Sequence, residues 1–156
     1  MQHEMAKPSP EHQKLVAAMT GSWTSEETIH PSPWGPGGKR TGRSEARAAC
    51  DGFFVVTDYE QSDGARVAYR GHGVYGFDAA KKRWSMHWFD SMGGVPAHLV
   101  WGNWEGPALT FETSGPQGSH RYVYEFRKDG SYVFSIRNSR DGKEWATFME
   151  GKFTRR

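Results

Sequence analysis

From Ser22 onward, apolar and polar side chains alternate with a period of two, the pattern of strands that bury one face. Turn signals interrupt the alternation at Asp51-Gly52, Asp63-Gly64, Asp78 to Lys82, Gly93-Gly94, Glu105-Gly106-Pro107, Gly115 to Gly118, Asp129-Gly130 and Asp141-Gly142. They recur about every 11 to 15 residues and leave ten β-rich segments: 22–29, 41–50, 53–61, 66–77, 83–91, 96–104, 108–114, 119–128, 131–138 and 144–154. Residues 30–40, rich in proline and glycine, cannot hold a ladder and read as one longer loop around Trp34, of a length that often serves as a lid. One helix is signalled ahead of the strands. Ser9 suits its cap, Pro10 its first position, and Glu11 the positive end of its dipole. His12, Leu15, Val16 and Met19 then share a face, and Gly21 ends the run. So short a helix needs a surface to lie on.

No helix interrupts the strands, which excludes parallel crossovers. A sandwich and a closed meander remain. The even strand number favours closure, because the last strand then pairs antiparallel with the first. The expectation is an all-β, about ten-stranded, antiparallel up-and-down β-barrel with the short N-terminal helix closing one end. Residues 1–8 are expected to form a flexible tail and 9–156 a single barrel domain.

Composition narrows the functional classes. With 36% apolar and 24% charged residues, the chain is neither membrane-spanning nor a highly charged disordered segment. A net charge of +2 with scattered basic residues argues against a nucleic-acid partner, and Lys81-Lys82-Arg83 reads as an exposed turn. Cys50 is the only cysteine, so an internal disulfide is impossible and a reducing, cytoplasmic setting fits. Residues 1–14 do not read as a signal peptide, and no later stretch resembles a membrane helix. No membrane partner is expected, and the chain is expected to be a monomer or homodimer.

Gly21-Ser22-Trp23, directly after the helix, resembles the Gly-x-Trp signature of lipocalins and related calycins. In that family the tryptophan plugs the closed end and a basic residue from the last strand covers it, a role the resemblance gives to Arg155. The chain also resembles, almost end to end, the DUF1579 family of bacterial lipocalin-like proteins. The matching stretches are Glu11-His12 through Leu15, Gly21-Ser22-Trp23, Gly52-Phe53-Phe54 with Tyr59, Gly71 to Asp78, Trp88 to Ser91, Asp141-Gly142-Lys143 and Phe153-Thr154-Arg155. Phe77 stands where the family usually has tyrosine. The resemblance implies a calycin-type barrel and no particular activity.

Which residues meet a ligand depends on strand phase. On 83–91, Trp84, Met86, Trp88 and Asp90 share a face, placed inward because three large apolar groups gain most from burial. Asp90 then either caps the turn before Gly93-Gly94 or points into the cavity mouth, where it can serve as an acid or base. On 41–50, Arg43, Glu45 and Arg47 lie opposite Ser44, Ala46 and Ala48. The charged face reads as solvated, yet an inward Arg47 beside Tyr59 would suit a carboxylate ligand. Tyr75, Tyr122, Tyr124, Phe126, Tyr132 and Phe134 form core or cavity lining.

Seven histidines raise metal and haem readings. His72, His87 and His98 lie on consecutive strands, but His87 opposes the inward face, so no metal site is expected. A single barrel histidine, His98 or His72, is the candidate haem ligand. His3, His12, His30 and His120 lie near the terminus or loops. Gly71-His72-Gly73-Val74-Tyr75-Gly76 has the letters of a dinucleotide fingerprint without the helix that binds phosphate, and Gly-x-Ser-x-Gly is absent.

Three functional classes remain. The first is a binding protein for a small hydrophobic or aromatic molecule, with or without a carboxylate, lined by Arg47, Tyr59, Tyr75, Trp88, Asp90 and His98. The second is an isomerase, cyclase or lyase without a cofactor, using Asp90 with His98 or Arg47. The third is a barrel filled by its own rings, with the Trp34 loop as its contact surface.

Overall fold

The computed structural model describes residues 5–156. His3 and the first half of the expected tail lie outside the described residues. Helix α1 (Pro10–Met19) leads into ten strands: β1 (Gly21–Ile29), β2 (Gly38–Ala49), β3 (Phe54–Asp63), β4 (Arg66–Asp78), β5 (Arg83–Asp90), β6 (Val100–Glu105), β7 (Ala108–Gly115), β8 (Gly118–Phe126), β9 (Tyr132–Ser139) and β10 (Ala146–Arg155). Each pairs antiparallel with its neighbours in sequence, and β1 closes the barrel on β10 with Trp23 opposite Arg155. The expected meander is the observed one. Most strand ends shift by one or two residues, and two boundaries differ by three or more. Strand β2 begins at Gly38, inside the stretch read as loop, because Gly38 to Arg40 continue the ladder to β1. Strand β6 begins only at Val100, since residues after Asp90 run out through Gly93-Gly94 and Pro96 without a partner strand.

Helix α1 starts as its sequence requires. The Ser9 hydroxyl accepts from the His12 N–H, and the His12 ring accepts from the Ser9 N–H at 3.1 Å, a capping box with histidine in the place of glutamate. His12 is itself buried, edge-on to Phe53 and Phe77. Below the helix, Trp23 is 0% exposed and its indole N–H donates to the Met19 carbonyl at 3.0 Å. Arg155 lies 4.3 Å from the Trp23 ring and also donates to the Thr20 carbonyl, which ties the last strand to the helix end. Further rings fill the closed half: Trp84 against Trp104, Trp104 on Phe126, and Tyr132 stacked on Phe153. Trp84 faces inward as its strand phase requires, but it packs in this lower layer. The loops at residues 30–37 and 91–99 stand at the opposite, open end.

Candidate functional site

The upper half of the barrel is hollow. A cavity of about 680 Å³ opens between the two long loops. Its walls are largely rings, among them Tyr59, Tyr69, Trp88, Tyr122 and Phe134, and its floor includes Tyr75 and Tyr124. These two floor hydroxyls bond each other at 2.6 Å. Trp34, Met92 and Pro96 form the rim, with Trp34 edge-on to Phe148 and 72% exposed. Strand β5 bonds to β6 only through Trp84, Ser85 and Met86. The wall beside Trp88 and Asp90 is therefore completed by the 91–99 loop rather than by a ladder.

Glycine makes the room. Gly71 and Gly73 on β4 face Asp90 and Trp88 across the ladder, and a β-carbon on Gly71 would fall within the Trp88 ring. The nucleotide-like spelling of residues 71–76 thus serves as a seat for an indole. Gly71→Val should displace Trp88 at a cost of about 1–3 kcal/mol. Urea unfolding and near-ultraviolet circular dichroism check this; an unchanged Trp88 signature would show the seat to be unnecessary.

Two carboxylates stand at the ends of the ring cluster. Asp90 caps the turn, Oδ1 accepting from the Met92 N–H at 3.0 Å, while Oδ2 accepts from the Tyr69 hydroxyl at 2.9 Å on the cavity side. The Tyr69 oxygen in turn accepts from the Trp88 indole N–H at 2.8 Å. Glu27, 2% exposed, accepts from Ser25 at 2.7 Å, Tyr59 at 2.5 Å and Gln61 at 3.1 Å. It fits because Gly42 and Gly151 flank it on the adjoining strands. Its register partner Arg40 lies nearer Asp63 on the rim, 3.9 Å away. Burial, then the charge of Glu27, pushes the Tyr59 phenol far above its ordinary range; burial and the bond to Asp90 do the same to Tyr69. Both phenols therefore stay protonated donors to their carboxylates.

Of the candidate liners, Tyr59, Tyr75, Trp88, Asp90 and His98 all reach the cavity. Arg47 does not. Its side chain is 67% exposed on the outer face, 4.0 Å from Asp58, because Ser44 and Ala46 take the inward positions of β2. The proton-transfer pair of Asp90 with Arg47 is lost with it, and so is the basis for a carboxylate ligand. Among the described residues no lysine or arginine lines the cavity. His72 also points outward, bonded to Asp58 at 2.8 Å, which removes it as a haem ligand. His87, opposite in phase to Met86 and Trp88, is outside as well. Among the described residues no three metal-ligating side chains converge. Tyr69, Glu27, His120 and Asn138 were not anticipated at the site. His120 and Asn138 bond each other at 2.7 Å on the far wall.

A closed antiparallel barrel with a tryptophan plug at one end and an open, ring-lined cavity at the other is a lipocalin-like protein. The chain belongs to the DUF1579 family, described as a protein of unknown function, whose profile matches residues 7–155. No curated protein matches its sequence. Among solved structures it is similar to Rv2717c from M. tuberculosis, with TM-score 0.68 and 13% identity over 95% of this chain and 98% of that one. It is also similar to the S-type phycobiliprotein lyase CPES from Guillardia theta, with TM-score 0.67 and 11% identity over 92% of each chain. At such identities the likeness is one of fold. No helix among the described residues is long and apolar enough to cross a membrane.

Proposed function

We propose that this protein binds a small, largely apolar molecule of aromatic character in the upper half of its barrel. One observation carries the reading. The barrel is filled with rings only below, and the ring-lined space above, about 680 Å³, is open to solvent and of the size that ligand pockets usually have. A completely filled barrel, the interaction-module reading, loses its support for the same reason. The acid–base reading keeps Asp90 and His98, which share the cavity, but Asp90 already accepts two hydrogen bonds. The structural neighbour named as a phycobiliprotein lyase supports the view that barrels of this topology act on other molecules.

The test uses a neutral apolar dye, N-phenyl-1-naphthylamine. Its emission should rise and shift to the blue at a stoichiometry of one, and Ile136→Trp, which adds a large ring to the cavity wall, should abolish the change. Absence of saturable binding, or binding indifferent to Ile136→Trp, would overturn the proposal. Native against denaturing mass spectrometry of purified protein should show a co-purifying mass released on unfolding. A visible absorption band alongside it would instead identify haem, with His98 as its remaining candidate ligand.

A further inference from the structure

We infer that the preferred ligand carries a protonated amine, held against Asp90 and the faces of Tyr59, Tyr69 and Trp88; this deepens the small-molecule reading above and rests on it. The argument is a count of donors and acceptors. The Tyr59 hydroxyl gives its proton to Glu27, the Tyr69 hydroxyl gives its proton to Asp90, and the Trp88 N–H is spent on Tyr69. The Gln61 amide likewise donates to Glu27. On this wall these donors are consumed internally, and both phenol oxygens also accept, Tyr69 from Trp88 and Tyr59 from Gln61 at 3.2 Å, so the acceptor capacity left facing the cavity is that of the Asp90 carboxylate.

Charge points the same way. Asp90 and Glu27 are both acidic side chains, and neither forms an ion pair among the described residues. Asp90, unlike Glu27, lines the cavity directly. Between the carboxylates stand three rings, with Tyr59 6.1 Å from Tyr69 and 6.4 Å from Trp88, a spacing that leaves ring faces for a cation. An ammonium offers both N–H donors and a positive charge to the remaining lone pairs of Asp90. A carboxylate ligand offers neither and would meet like charge, with no lysine or arginine among the described cavity-lining residues to receive it. The opposite wall, with His120 and Asn138 bonded to each other, is left to accommodate the ligand's neutral, polar remainder.

Three probes of one size separate the possibilities: 2-naphthylmethylamine, 2-naphthylmethanol and 2-naphthoic acid, titrated by calorimetry at neutral pH. The amine should bind about tenfold tighter than the alcohol, a difference of about 1.4 kcal/mol, and the acid weakest of the three. Asp90→Asn should weaken the amine by about tenfold and move the alcohol much less. Tyr69→Phe releases one oxygen of Asp90 and should leave amine binding intact or stronger. An acid that binds as well as the amine, or an Asp90→Asn variant that weakens all three probes alike, would overturn the amine assignment and leave the cavity a binding site of another chemistry. Failure of all three probes while N-phenyl-1-naphthylamine still binds would overturn the amine assignment alone, and failure of all four would overturn the binding reading with it.

Discussion

Trp23→Ala should cost the fold about 3–5 kcal/mol, a large share of the roughly 5–15 kcal/mol that keeps a domain folded. The indole is wholly buried, edge-on to Tyr132 at 4.8 Å, and covered by the Arg155 guanidinium. Alanine leaves a ring-sized void that the wall cannot close, because β1 is held on both sides by the ladders to β2 and β10. The Met19 carbonyl loses its indole donor in the same step, so α1 loosens with the plug. Trp23→Phe keeps most of the ring and gives up that hydrogen bond, and should cost roughly 1–2 kcal/mol. Arg155→Met removes both the cation and its hydrogen bond to the Thr20 carbonyl and should cost about 1–2 kcal/mol. Urea unfolding followed by far-ultraviolet circular dichroism ranks the three. A cost below about 1 kcal/mol for Trp23→Ala would mean that the closed end does not depend on its plug.

The plug was legible in the sequence because a short capped helix, Gly21-Ser22-Trp23 and a terminal arginine are local signals that agree. The strands were legible for a similar reason: most turns are written as Asp-Gly or Gly-Gly pairs, and the ladder between them follows. The inward phase of β5 could be read because Trp84, Met86 and Trp88 outweigh any alternative. The phase of β2 was harder, since neither of its faces is strongly apolar. There the small residues Ser44 and Ala46 decided the matter, and Arg47 went outward. Glu27 was missed because a glutamate in a strand normally marks the solvated face. Its signal was present all the same: it lies four residues from Trp23, two alternations on, and so must share that residue's inward face. Tyr69 follows from Tyr75 by the same step along Gly73 and Gly71. What no sequence pattern supplies is the set of hydrogen bonds across strands, Tyr59 to Glu27 and Tyr69 to Asp90, because those pairs are 32 and 21 residues apart and meet only when the barrel closes.

Above pH 10 the folded protein should lose stability steeply and unfold in a single step between about pH 10.5 and 12, with tyrosinate absorbance appearing only as the fold is lost. All six tyrosines of the chain face the interior. Burial pushes Tyr75 up to about 12 and holds Tyr124 and Tyr132 well above the ordinary phenol range, with neighbouring phenols adding to the effect on the last two. Burial, then Asp90, raises Tyr122 as well. The sign follows from which state keeps its protons. In the unfolded chain these phenols ionise near pH 10, while in the folded chain they stay neutral, so rising pH favours unfolding throughout the interval between the two values. Below that interval both states are protonated and the tyrosines add no pH dependence. Each fully buried phenol removes about 1.4 kcal/mol per pH unit, so Tyr75, Tyr124 and Tyr132 together withdraw about 4 kcal/mol by pH 11. Tyr59, Tyr69 and Tyr122, nearer the mouth and partly solvated, add less than that. Absorbance at 295 nm and near-ultraviolet circular dichroism, recorded on the same samples, should therefore change together. Tyrosines that titrate one after another near pH 10 while the dichroism stays native would mean that water reaches the phenols throughout. In that case the proton of Tyr59 would not be reserved for Glu27, nor that of Tyr69 for Asp90, and the acceptor-rich wall of the cavity would lose its physical basis.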